Sequence, residues 1–87
     1  MYQLFYTKKF IKTYRKLSPP IRKKVDKQIS LLTKNLRHPS IRTKKLQGYD
    51  DVWEGRVDRS YRFVFSIETN TIILLRVGPH DEGLGKK

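Results

Sequence analysis

The sequence predicts an α+β fold: an N-terminal strand, a helical hairpin, then a four-stranded antiparallel meander. Three observations carry this. Residues 8–17 and 19–36 repeat apolar side chains at spacings of three and four, the period of a helix with one buried face. Residues 43–77 instead hold four short runs rich in β-branched and aromatic residues. Short turn sequences separate those runs, and consecutive hairpins make an antiparallel meander.

The run from Tyr2 to Tyr6 is short and aromatic-rich and reads as an edge or central strand. Thr7 is the expected N-cap of a helix from Lys8 to Leu17, with Phe10, Tyr14 and Leu17 on one face and Ile11 widening it. Ser18-Pro19-Pro20 ends that helix and starts the next, with Ser18 as cap and Pro19 at the first helical position. The second helix should reach about Leu36, its stripe formed by Ile21, Val25, Ile29, Leu32 and Leu36. Strands are expected at Thr43 to Leu46, Val52 to Asp58, Tyr61 to Ile67 and Thr71 to Val77. Tyr61, Phe63, Phe65 and Ile67 form an apolar row that should face the helices. Gly78 and Pro79 should break the last strand and present His80.

The chain has 87 residues, which gives room for one domain, residues 1–87, and one core. It has no cysteine, which excludes disulfides and thiolate metal sites and fits a cytoplasmic protein. No apolar run approaches the roughly 18–20 residues that span a membrane, and Met1 to Lys9 lacks the apolar core of a secretion signal.

The net charge is +12, and it is one-sided. Residues 1–45 hold 14 basic residues against one acid, Asp26, whereas residues 46–87 hold 6 against 7. Such a surface draws a polyanion through long-range attraction and counterion release. Lys23, Lys24 and Lys27 on the second helix, with Lys44 and Lys45 beyond it, are the expected contacts to RNA or a ribosome.

Alternation sorts the candidate chemistry. Trp53, Gly55 and Val57 point one way from their strand, and Glu54, Arg56 and Asp58 the other. Arg62 interrupts an apolar strand on the row opposite Phe63, so its face should be open. Glu54, Arg56, Arg62 and His80 are therefore expected on the sheet face away from the helices, with Arg62 and His80 exposed. Two guanidiniums can hold a phosphate and stabilise developing charge, while a carboxylate or imidazole moves protons. That set suits RNA cleavage by attack of a 2′-hydroxyl and calls for no metal or other cofactor.

Four segments carry a resemblance: Lys45-Leu46-Gln47-Gly48, Val52-Trp53-Glu54-Gly55-Arg56-Val57, Tyr61-Arg62-Phe63-Val64-Phe65 and Val77-Gly78-Pro79-His80-Asp81-Glu82. Together they resemble the RelE/ParE toxin superfamily of toxin–antitoxin systems. The resemblance implies a microbial-RNase-like fold, cleavage of messenger RNA on the ribosome, and a cognate antitoxin as partner. It implies that Arg56 activates or stabilises, that Arg62 binds phosphate, and that His80 is similar to the proton-transferring histidine of the YafQ-like branch. Glu54 departs from RelE, which has a lysine in the similar place; it is either a general base or a partner that orients Arg56. The resemblance also implies an alternative, a ParE-like inhibitor of DNA gyrase without nuclease chemistry. A basic nucleic-acid-binding module without toxicity is a third reading.

Overall fold

A computed structural model describes residues 1–80 of the chain. The elements run β1 (Gln3–Tyr6), α1 (Lys8–Arg15), α2 (Pro19–Lys34), β2 (Lys44–Lys45), β3 (Val52–Arg56), β4 (Tyr61–Glu68) and β5 (Thr71–Pro79). They form one mixed five-stranded sheet in the order β1-β5-β4-β3-β2. The meander is antiparallel as expected, and β1 adds to its β5 edge in parallel, Gln3 opposite Thr71 and Tyr6 opposite Leu74. The alternative left open for the first strand thus resolves to an edge strand.

Thr7 ends β1 and starts α1 at once. Its hydroxyl accepts the N–H of Phe10 at 3.1 Å, capping the helix, and donates to the carbonyl of Leu74 at 2.8 Å, tying the helix to β5. Ser18 has the extended backbone of an N-cap, but its side chain makes no capping bond. The proline at the start of α2 removes one of the N–H groups such a cap would serve.

Phe10 and Leu17 from the first helical stretch join Val25, Ile29 and Leu32 from α2 in one buried cluster with Phe63, Phe65, Ile72, Leu74 and Val77. Tyr61 and Ile67 pack against it, so the whole predicted apolar row of β4 faces the helices. Ile11 does not: it is exposed, lining a groove between the helices with Tyr6 and Tyr14, because Phe10 already fills the buried position beside it. A second, smaller cluster, Leu46 with Val64, Val52 and Leu75, lies on the opposite sheet face.

The last strand runs on to Pro79 instead of breaking at Gly78. Gly78 pairs with Arg62 and Pro79 with Tyr61, and the N–H of His80 still donates to Ser60. The missing N–H of Pro79 falls on the outer side of β5, so the ladder loses nothing and the break waits until His80. Asp81, Glu82 and the two terminal lysines lie outside the described residues.

Gly55 fixes the fit of β3 to β4. It pairs with Phe63, and a Cβ built there would stand 2.5 and 2.7 Å from atoms of the Phe63 ring. Phe63→Ala should therefore destabilise the protein by about 3–5 kcal/mol. Gly55→Ala should also destabilise, by overpacking, by about 1–3 kcal/mol. Urea unfolding of both variants checks this; a Gly55→Ala protein as stable as the wild type would show that the ring moves freely.

Candidate active site

The sheet register builds the site. Pairing of β3 with β4 sets Arg56 directly opposite Arg62, and pairing of β4 with β5 sets Arg62 opposite Gly78. Glu54 lies two residues before Arg56 on the same strand, opposite Val64, and so shares its face. His80 lies one residue past the end of β5, in the turn that follows it. His80 is exposed, as expected, and its backbone N–H donates to Ser60 at 2.6 Å. Glu54, Arg56 and Arg62 thus share the face away from the helices, and His80 stands in the turn just after Gly78 and Pro79.

Two of them are less open than the sequence implies. Glu54 is 4% exposed. It sits beside the small apolar cluster of Leu46, Val52 and Val64, which covers part of the far face. Its Oε1 lies 3.9 Å from Nζ of Lys44, its cross-strand partner, and its Oε2 has no hydrogen-bond partner among the described residues. Arg62 is half-buried rather than exposed. Its Nη1 donates to the carbonyls of Asp58 at 2.7 Å and Tyr61 at 3.0 Å, so the guanidinium leans on the β3–β4 hairpin. Its other nitrogens make no hydrogen bond among the described residues.

The expected RNA contacts divide. Lys44 is on the site face beside Glu54, and Lys45 pairs with Trp53, whose side chain packs on the helix side. Lys23, Lys24 and Lys27 are exposed on α2, across the sheet from Glu54. Lys24 reaches the hairpin tip, its Nζ 3.2 Å from Oδ2 of Asp58. Among the described residues no group of three or more His, Asp or Glu side chains gathers where it could hold a metal ion.

Two supporting residues escaped the sequence reading. Gln28 is buried in the apolar stripe of α2, and its amide donates to the carbonyls of Ser40 at 3.1 Å and Arg56 at 3.0 Å. With the N–H of Arg56 bonded to Ile41, this pins the end of β3 that carries the first arginine. A polar residue inside a helical apolar stripe is the signal that would have found it. Arg76 is the other: it stands in an apolar strand just as Arg62 does, and the same criterion applies.

Two helices with a five-stranded mixed sheet is the architecture of the RelE-like toxins. The profile of the family described as "ParE toxin of type II toxin-antitoxin system, parDE" matches residues 4–84. The chain belongs to this family, within the RelE/ParE toxin superfamily, and is the toxin of a toxin–antitoxin system. Solved structures with the same fold include a YoeB/ParE toxin from Agrobacterium tumefaciens, at TM-score 0.78 and 15% identity over 90% of this chain and 98% of that one. The E. coli RelBE toxin–antitoxin complex matches at TM-score 0.76 and 22% identity, over 94% of this chain and 100% of the other. YafQ from E. coli matches at TM-score 0.76 and 16% identity, over 92% and 94%. No curated protein sequence matches the chain.

Asp58 holds the hairpin on which Arg62 leans. Its Oδ1 accepts the N–H groups of Ser60 and Tyr61 at 2.8 and 2.9 Å. Burial pushes its carboxyl up, but the Ser60 N–H, the Lys24 ammonium and the Tyr61 N–H together outweigh this and hold it below its ordinary value of 3.8. A depressed carboxylate contributes stability that is present above its unfolded pKa and lost as pH falls through the lower folded value. The protection of the Ser60 and Tyr61 amides, relative to intrinsic exchange at each pH, should therefore fall as the pH is taken below 3.8. Hydrogen exchange followed by NMR measures it, and an Asp58→Asn variant should lose that pH dependence.

Proposed function

We propose that the protein is a metal-independent endoribonuclease that cuts messenger RNA on the ribosome in the cytoplasm and is neutralised by a cognate antitoxin. The observation that carries this is the cross-strand pair Arg56–Arg62 on a face that also holds a buried carboxylate, Glu54, with an exposed imidazole, His80, in the turn at the end of β5. The two guanidiniums hold the scissile phosphate, with Arg62 oriented by its bonds to the hairpin carbonyls. A base takes the proton of the 2′-hydroxyl, whose oxygen bonds to phosphorus as the bond from phosphorus to the 5′-oxygen breaks. The leaving oxygen takes a proton, and a 2′,3′-cyclic phosphate remains. His80 and Glu54 are the proton-handling groups. Fold likeness to RelE and YafQ supports this reading, and the RelBE complex supports an antitoxin partner. For a +12 protein that partner should be acidic and amphipathic.

The family description names parDE, which favours a second reading, a gyrase inhibitor of the same fold without nuclease chemistry. Arg62→Ala should slow cleavage on the order of 10²–10³ and His80→Ala on the order of 10²–10⁴. Asp58 still holds the hairpin, so both variants should fold and bind ribosomes. Toeprinting of ribosome-bound message measures the rates. Wild-type cutting by both variants would reject the site, and no cutting by the wild type would favour gyrase.

The cations of α2 should add ribosome affinity rather than rate. Replacing Lys23, Lys24 and Lys27 with glutamate should weaken ribosome association and flatten its salt dependence. Cosedimentation across a salt series reads the effect, and an unchanged salt slope would count against these contacts.

A further inference from the structure

A second cleft, of about 420 Å³, lies between α1 and the outer edge of β5. β1 covers that edge only as far as Leu74. Beyond it α1 takes over, with the hydroxyl of Thr13 accepting the N–H of Val77 at 3.2 Å. Lys9, Lys12 and Lys16 line the cleft from one face of the helix, and Arg76, Gly78 and Pro79 line it from the strand. No carboxylate is among its described lining residues.

A bulge accompanies Arg76. Val64 pairs with Arg76 while Phe65 pairs with Leu74, which leaves Leu75 as the extra residue. Such an irregularity re-aims the side chains beside it. The Nε of Arg76 is buried and has no hydrogen-bond partner among the described residues. A guanidinium nitrogen taken out of water without an acceptor is costly, and four cations around one cleft repel each other. An anion with several acceptor oxygens relieves both.

We propose that this cleft is a phosphate subsite for an RNA strand, holding phosphodiesters next to the cleavage site without cutting them. The choice of RNA rests on the nuclease reading above. It is favoured over an acidic peptide by continuity: Gly78 lines the cleft and is the cross-strand partner of Arg62. A backbone lying on Arg62 crosses one strand, over a residue with no side chain, to enter the cleft. Adjacent strands are only about 4.8 Å apart.

The test is fluorescence anisotropy with a single-stranded 2′-O-methyl oligonucleotide, which binds but has no 2′-hydroxyl to react. Arg76→Gln, and Lys12→Gln with Lys16→Gln, should each weaken binding on the order of tenfold. The salt slope should fall by about 0.7 for each phosphate that is no longer neutralised. Lys34→Gln removes one charge outside the cleft and should change little. The amide signals of Thr13, Val77 and Gly78 should move on titration. The exposed lysine pair carries the test if Arg76→Gln fails to fold. Cleft variants that weaken binding no more than Lys34→Gln does would overturn the proposal, as would polyglutamate binding the cleft more tightly than the oligonucleotide. Toeprinting separates the two readings. Arg76-dependent binding by a protein that never cuts message sinks the nuclease and leaves the cleft. Cutting by a protein whose oligonucleotide binding ignores Arg76 does the reverse.

Discussion

The ring of Phe63 lies against the backbone of Gly55, where a Cβ would stand 2.5 Å from the ring's Cζ. This close approach of neighbouring strands sets the register of β3 on β4. A slip by one residue would put a side chain under the ring and turn every residue of the strand to the other face. In the register that forms, Arg56 meets Arg62, and Glu54 meets Val64. The geometry of the polar face therefore follows from a missing side chain on the apolar one.

The two sheet faces divide the work. The helix face is apolar and rich in aromatics and holds the main core. The far face carries the small Leu46–Val64 cluster, and Glu54, opposite Val64, is buried there. A nearly buried acid shares one register with paired guanidiniums, and an exposed imidazole follows at the end of β5. Buried Gln28 supports this from behind by bonding the carbonyl of Arg56, so a helix on one face steadies an arginine on the other.

The unequal charge of the chain is distributed by the same frame. Lys24 answers Asp58 at the hairpin tip, and Lys44 approaches Glu54, the two ion pairs among the described residues. The other helical cations stay outward, and three of them converge with Arg76 along the edge of β5 that β1 leaves uncovered. That edge would otherwise be a template for strand pairing. Covering it with α1 protects it and brings lysines beside the sheet.

The periodicities of 3.6 and 2 are local properties of the chain, so the helical hairpin, the meander and the inward row of Tyr61, Phe63, Phe65 and Ile67 were legible in the sequence. So were the Thr7 cap and the face shared by Arg56 and Arg62, because each follows from residue type and alternation alone. Partner choice was not legible. Only the tertiary structure decided that β1 pairs in parallel with β5, that Glu54 is buried, and that Arg62 leans on the hairpin. It also decided that a bulge at Leu75 accompanies an arginine lining the α1 cleft. Each of these depends on contacts between segments far apart in the chain or on one extra residue in a ladder, and a local pattern carries no record of which distant segment will cover it.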